Sequence, residues 1–283
     1  MRTSPPLTDE RAKEIQASAQ HLRCLVVDAV AEAGSGHPGG SLSSADILAL
    51  LFSHVLQLDP ANPHWEERDR FVLAKGHAAP ILYAALASRG FLPEQELQEL
   101  RKLGSRLQGH PDRLKTPGVE ASTGSLGQGL SIACGMALAT RLDQRPSGVY
   151  VLLGDGELEE GQVWEAAMAA AHYKLDNLVA IVDYNGLQID GPIGEVLSPE
   201  PIADKWRAFG WEVFEVDGHD IQQLDEAIRQ AQGTSRPAVI IACTTKGKGV
   251  CFMENQCGWH GKAPTQEQRA EALQELREGA ITS

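Results

Sequence analysis

Apolar residues recur at helical spacing from Asp9 to Ala33, at Ile15, Ala19, Leu22, Leu25, Val26, Ala29 and Val30, behind a Thr8/Asp9 cap. This predicts a long amphipathic helix at the start of the chain. GSGHPGGSLSSADILALLFSHVL then reads as a Gly-rich loop, a Ser-rich start and a second helix. FVLAKGHAAPILYAALASRG reads as a short strand, a loop and a helix stopped by glycine. Residues 103–129 carry Gly, Pro and His throughout with neither period, and an irregular stretch this long without repetition points to function. Beyond it the pattern alternates. It predicts helices over 126–142, 162–173 and 221–232, and strands over 149–153, 178–182, 213–216 and 238–242. Strands alternating with helices imply a mostly parallel sheet covered by helices on both faces, an α/β fold. APTQEQRAEALQELREG, near the C-terminus, predicts a polar, exposed helix.

The length of 283 residues exceeds an ordinary domain, yet one large α/β domain with helical additions reaches it. Residues 1–283 are therefore expected to form a single domain, with an N-terminal helical segment and a C-terminal polar helix. A formal net charge of −13 would repel nucleic acid and anionic membranes, so neither is an expected partner, and any anionic ligand needs a local positive site. The five cysteines form no CxxC pair and are odd in number, which favours reduced thiols and a cytoplasmic location over a zinc site or a disulfide framework. The start has no apolar leader core and no window approaches a membrane span, so neither secretion nor membrane insertion is expected.

Candidate chemistry concentrates in VYVLLGDGELEEGQVWEA, residues 149–166, where four carboxylates crowd a Gly-Asp-Gly turn directly after an apolar run. Asp155 ends one predicted strand and Asn185 follows the end of the next. In a parallel βαβ unit both ends lie on the rim where open α/β sheets bind ligands. A carboxylate, an amide oxygen and a nearby main-chain carbonyl are hard oxygen donors suited to Mg2+, an ion that often bridges to phosphates. For Glu157, Glu159 and Glu160 alone, a plain role at the positive end of a helix serves equally well.

Gly-Asp-Gly followed by a helix, a strand and then Asn resembles the thiamine diphosphate motif. SGHPGG (35–40), LAKGHA (73–78), GHPD (109–112), STGSLGQG (122–129), GDGELEEGQVWEA, DYNGLQIDG (183–191) and WHGKAP (259–264) resemble transketolase blocks, in transketolase order and across nearly the whole chain. The resemblance is to the N-terminal, diphosphate-binding half of a transketolase existing as its own polypeptide. One departure is Gly186, where a larger residue is common and where glycine could loosen the metal loop.

The resemblance implies thiamine diphosphate and Mg2+ as cofactors. The metal would be held by Asp155, Asn185 and the main-chain carbonyl of Leu187, neutralising a diphosphate approached by Gly124, Gly156, His77 and His260. Leu126 and Ile189 resemble aliphatic residues that flank the thiazolium ring, although Ile189 reads about as well as ordinary core. Glu160 and Glu165 would lie toward a partner surface, with Glu160 near the cofactor. Five of the nine histidines have a glycine neighbour, an arrangement that lets imidazole approach a ligand closely. Four of these fall in the transketolase-like blocks. The resemblance gives His37, His110 and His260 to sugar chemistry, and His219 is read as structural.

GSGHPG also fits GxGxxG with Asp59 downstream. The helical period before it and Pro38 within it argue against a dinucleotide loop. The function implied is transfer of a two-carbon ketol unit from a ketose phosphate to an aldose phosphate, sugars of the pentose phosphate type. A C-terminal transketolase subunit carrying the pyrimidine-binding domain would be the partner, in an α2β2 heterotetramer. The rival readings are the α-subunit of a 2-oxoacid dehydrogenase, a deoxyxylulose-phosphate synthase, and a non-catalytic scaffold that retains the cofactor fold.

Overall fold

The computed structural model describes residues 1–282, the last three by backbone alone. Helix α1 (Asp9–Ala33) begins where Thr8 accepts the Arg11 N–H and stops at Gly34, whose positive φ of 61° closes the C-cap. Its apolar stripe of Ile15, Ala19, Leu22, Val26 and Val30 is fully buried. Two short helices follow, α2 (Pro38–Ser43) and α3 (Ala45–Leu50), the latter continuing as a π-helical turn. Strand β1 (Arg70–Leu73) leads through the LAKGHA loop into α4 (Ala79–Ser88).

Residues 101–127 contain turns but no strand or helix, as their mixed composition predicts. This stretch is nonetheless tied down. Leu107 and Thr116 are buried, and the Tyr83 hydroxyl donates to the carbonyls of Gln108 and His110.

The remaining elements alternate as expected: α5 (Gln128–Leu142), β2 (Val149–Gly154), α6 (Gly161–His172), β3 (Leu178–Tyr184), the short α7 (Ile193–Val196) and α8 (Ile202–Ala208), β4 (Glu212–Asp217), α9 (Ile221–Gln232) and β5 (Ala238–Cys243). The five strands are all parallel, in the order β1-β2-β3-β5-β4. Alternate side chains face two separate apolar layers. Tyr150, Leu152, Val179 and Ile181 pack with α1, α3, α4 and α9. Val151, Leu153, Ala180 and Val182 pack with α5, α6 and α8. Burial on both faces explains why β2, β3 and β5 read as continuous apolar runs, whereas edge strand β4 carries outward Glu215 and Asp217.

The final helix α10 (Gln266–Thr282) corrects one expectation, because it is not simply exposed. Ala272 and Leu276 are fully buried in the layer that includes α1. Gln20 donates to the Leu276 carbonyl at 2.6 Å, and Arg269 pairs with Asp28. Two apolar positions four residues apart suffice to dock a helix whose other faces are polar.

Candidate active site

A cavity of about 210 Å3 opens at the carboxyl ends of β1, β2, β3 and β5. The register places Gly154 of β2 beside Asp183 of β3, and Asp183 beside Ala242 of β5, so the segments leaving these strands converge on one rim. Of the predicted residues, His37, His77, Gly124, Leu126, Asp155, Gly156, Asn185, Leu187, Ile189 and His260 line this cavity. His110 adjoins it: its ring packs on Gly124, where a Cβ would lie 2.8 Å from the imidazole and where φ is +144°. Glu160 does not line it. That residue is exposed at the N-cap of α6, with Glu165 exposed one turn later. Ile189 is 65% exposed, so the alternative of ordinary core does not describe it.

Asp155 is buried, and its carboxylate accepts the N–H groups of Gly156 at 2.8 Å and Gly186 at 2.5 Å. Burial, and then the nearby Asp183, push it up to about 6 despite those two donors. Gly186 has a φ of +76°, a conformation glycine adopts without strain, and this turns its N–H toward Asp155. Asn185 donates to Asp183 and accepts the Leu187 N–H, each at 3.2 Å. The oxygens of Asp155, Asn185 and Leu187 therefore come from two adjacent loops at one end of the sheet.

Two lysines line the same cavity. Lys75 is buried in an ion pair with Asp183 at 2.5 Å and also donates to Gly40 O and Ser44 Oγ. Burial disfavours the Asp183 anion, but Lys75 together with Ser43 and Thr244 holds the carboxyl below its ordinary range. Lys246 donates to the carbonyl of Leu187 at 2.9 Å and lies 3.1 Å from His260 Nδ1; burial lowers its pKa, partly offset by Asp155 and Asp183. Glu157 accepts the N–H groups of Gly127 and Gly154, tying the start of α5 to the end of β2. Burial raises it to about 7.

The rings of His37, His77 and His260 form a compact group, with centroids 4.9 to 5.6 Å apart. Burial is the main cause that lowers His37 to about 4, His77 to about 2 and His260 to about 3. All three are neutral at pH 7, so each ring offers one N–H donor and one acceptor nitrogen. His110 is also lowered, by burial and then by Arg101. His37 Nδ1 and Thr123 Oγ1 are buried without a hydrogen-bond partner among the described residues. Orphaned polar atoms beside a cavity lined by cations and hard oxygens fit a polar, anionic ligand bound with a metal.

Lys75, Lys246 and Asp183 are not singled out individually by the sequence, and Glu157 is read there only as a carboxylate at a helix start. Lys75 lies inside LAKGHA, and Lys246 lies in the Gly-rich TTKGKG directly after β5; position at the carboxyl end of a strand is the available signal. A larger and more open groove, about 790 Å3, lies between α1 and the β4–α9 turn. Its lining includes Asp9, Asp217 and Asp220 with Lys13 as the only lysine or arginine, a poor match to an anion.

The chain is thus an open parallel α/β protein with a cavity at the carboxyl ends of its strands, lined by two lysines and three carboxylates. The family model described as the transketolase thiamine diphosphate binding domain matches residues 14–278. A 6-deoxy-6-sulfo-D-fructose transketolase subunit of a Clostridium species is 45% identical over 96% of this chain and 99% of its own length. One subunit of the apulose-4-phosphate transketolase of Phocaeicola vulgatus is 42% identical over 95% of each chain. The transketolase of Pongo abelii is 46% identical over 94% of this chain but only 42% of its own length. The solved transketolase of Campylobacter jejuni superposes with a TM-score of 0.88 at 37% identity, covering 93% of this chain and 43% of that one. The chain thus spans under half of the full-length transketolases and nearly all of the separate subunits. It belongs to the transketolase family and comprises that family's thiamine diphosphate binding domain.

Proposed function

We propose that this chain forms a ketol-transferring enzyme together with a second polypeptide that carries the pyrimidine-binding domain. The observation that carries the reading is the convergence of Asp155, Asn185 and the Leu187 carbonyl with Lys75, Lys246 and three neutral histidines in one cavity. Asp155, Asn185 and Leu187 would hold Mg2+, while Lys246 and the N–H groups of the Gly-rich loops would meet the diphosphate. When bound, thiamine diphosphate supplies the nucleophilic carbon that takes up a two-carbon ketol unit. His37, His260 and, from the rim, His110 would bind and orient sugar hydroxyls. Being neutral, they can both donate and accept hydrogen bonds, and can pass a proton without first losing one.

Two features support a partner. A cavity of about 210 Å3 is smaller than the roughly 300–1,000 Å3 of drug-sized ligand sites, so part of the cofactor needs another surface. Large apolar side chains are exposed on the segments that carry the site, with Leu103, Leu114, Ile189 and Leu197 each more than half accessible. Glu160 and Glu165 are both exposed and would face that partner. We assign the complex as α2β2, the donor and acceptor as sugar phosphates of the pentose phosphate type, residues 1–283 as a single domain, and the location as cytoplasmic. Five unpaired thiols accord with that location. Among the described residues no helix is long and apolar enough to cross a membrane.

The test is ketol transfer with thiamine diphosphate, Mg2+ and a panel of ketose phosphates, assayed for the purified chain alone and with the candidate partner. Turnover is expected only with both chains. Robust turnover by a rigorously partner-free preparation would refute the split-enzyme reading.

A further inference from the structure

His219 lies outside the cofactor cavity, in the turn between β4 and α9, with a side chain only 15% exposed. Its ring bridges two elements. Nε2 accepts the main-chain N–H of Thr245 at 2.8 Å, and Nδ1 lies 2.7 Å from Asp46 Oδ2. A backbone N–H can only donate, so Nε2 must carry the lone pair and Nδ1 the proton. Asp46, fully buried, is held in turn by Arg23 of α1. The imidazole orientation is therefore set from both sides.

Thr245 sits between a residue bonded to the cavity wall and one that lines the cavity. Thr244 donates through its hydroxyl to Asp183, and the ammonium of Lys246 reaches the Leu187 carbonyl. The chain leaves β5 here and runs into turns containing Gly247 and Gly249, which supply little stiffness of their own. Backbone bonds also hold this segment, from Thr244 N–H to Tyr184 O, Gly247 N–H to Gly39 O and Asn255 N–H to Lys246 O, and the bond from Thr245 to His219 is the side-chain constraint that acts directly before Lys246.

We propose that His219 is a positioning residue of the cofactor site, holding the 244–249 segment so that Lys246 points into the cavity. The proposal rests on the reading that this cavity receives the diphosphate. Outer residues that orient a ligand group commonly change affinity or activity without touching the ligand.

Two substitutions separate the ring's two hydrogen bonds. His219→Asn places an amide near the Nδ1 position and keeps a donor for Asp46, but it cannot reach Thr245. His219→Gln extends its amide oxygen to the Nε2 position and can accept the Thr245 N–H. Hydrogen exchange of the 244–249 segment is measured in the cofactor-free full chain, and affinity for Mg2+ with thiamine diphosphate is measured by titration, alongside melting temperature. His219→Asn is expected to speed exchange in that segment and to weaken affinity by about tenfold or more. His219→Gln is expected to restore both toward wild type. Wild-type affinity in His219→Asn, or equal losses in both variants that follow their melting temperatures, would overturn the positioning role. If the wild-type chain assembled with its partner fails to bind the cofactor, the functional reading falls separately. The exchange comparison still decides the link: fast exchange only in His219→Asn upholds it, and equal exchange in both variants rejects it.

Discussion

The ammonium of Lys246 donates to the main-chain carbonyl of Leu187 at 2.9 Å, placing a buried cation on an oxygen that the family resemblance gives to the metal. On the proposed reading, Lys246 would share that oxygen with Mg2+ or turn toward the diphosphate. In either case its charge faces an anion in a region of low dielectric, where a charge-assisted hydrogen bond contributes about 1.5–3 kcal/mol. Lys246→Met should weaken thiamine diphosphate binding by about ten- to hundredfold. Fluorescence titration at saturating Mg2+ measures it, and unchanged or tighter binding would mean that the lysine does not serve the diphosphate.

Neutral histidines in the cavity make stability depend on pH. His77 is lowered to about 2 against an ordinary value of 6.5, chiefly by burial. Between those values the unfolded chain binds a proton that the folded chain does not, so the His77 contribution destabilises increasingly as pH falls below 6.5. By pH 5 the effect amounts to about 2 kcal/mol. The stability difference between wild type and His77→Asn should shift by that amount in favour of the variant between pH 7.5 and pH 5. Urea melts at the two pH values test this. A difference independent of pH would place the folded-state pKa of His77 near its ordinary value.

Tyr83 links the apolar layer to the irregular stretch that carries His110. Its hydroxyl is the donor to Gln108 O and His110 O, at 2.8 and 3.2 Å. Tyr83→Phe should cost about 1–3 kcal/mol, the penalty for a buried acceptor losing its donor. Hydrogen exchange should rise around residues 108–112 before it rises in the sheet. Uniform acceleration across the chain would instead indicate a general loss of packing.

Leu276 is fully buried where α10 docks in the layer that includes α1. Leu276→Ala should destabilise the chain by about 2–5 kcal/mol, as for other buried leucines. Chemical denaturation measures it, and a change below about 0.5 kcal/mol, the range of ordinary surface substitutions, would show that the helix does not dock as described.

Much of this architecture is legible in the sequence because it rests on strong local signals. The apolar stripe of α1 and its Thr8 and Gly34 caps, and the continuous runs of β2 and β3, each point to one structure. Asp155 and Asn185 are legible as a pair because each follows the carboxyl end of a strand. Lys246 and Asp183 are harder to find: a single lysine after a strand or a single aspartate near its end is chemically ambiguous until the sheet brings β1, β3 and β5 together. The docked face of α10 escapes notice for a different reason. Ala272 and Leu276 are too few to mark an apolar stripe against the glutamates around them, and the contact exists only because α1 presents a complementary surface. His219 reads as structural because it falls outside the transketolase-like blocks, and its partners Asp46 and Thr245 lie 173 and 26 residues away.

The most direct test of the central claim is calorimetric titration of thiamine diphosphate into the chain assembled with its partner, with and without Mg2+, for wild type and Asp155→Asn. On the proposed reading, removal of the Asp155 charge would take away the main metal anchor, a loss expected to exceed about 2 kcal/mol, or roughly thirtyfold in affinity. The wild-type complex should bind the cofactor only with Mg2+, and Asp155→Asn should bind it at least that much more weakly. Equal affinity in the two proteins, or binding by the wild type that is indifferent to Mg2+, would contradict the account.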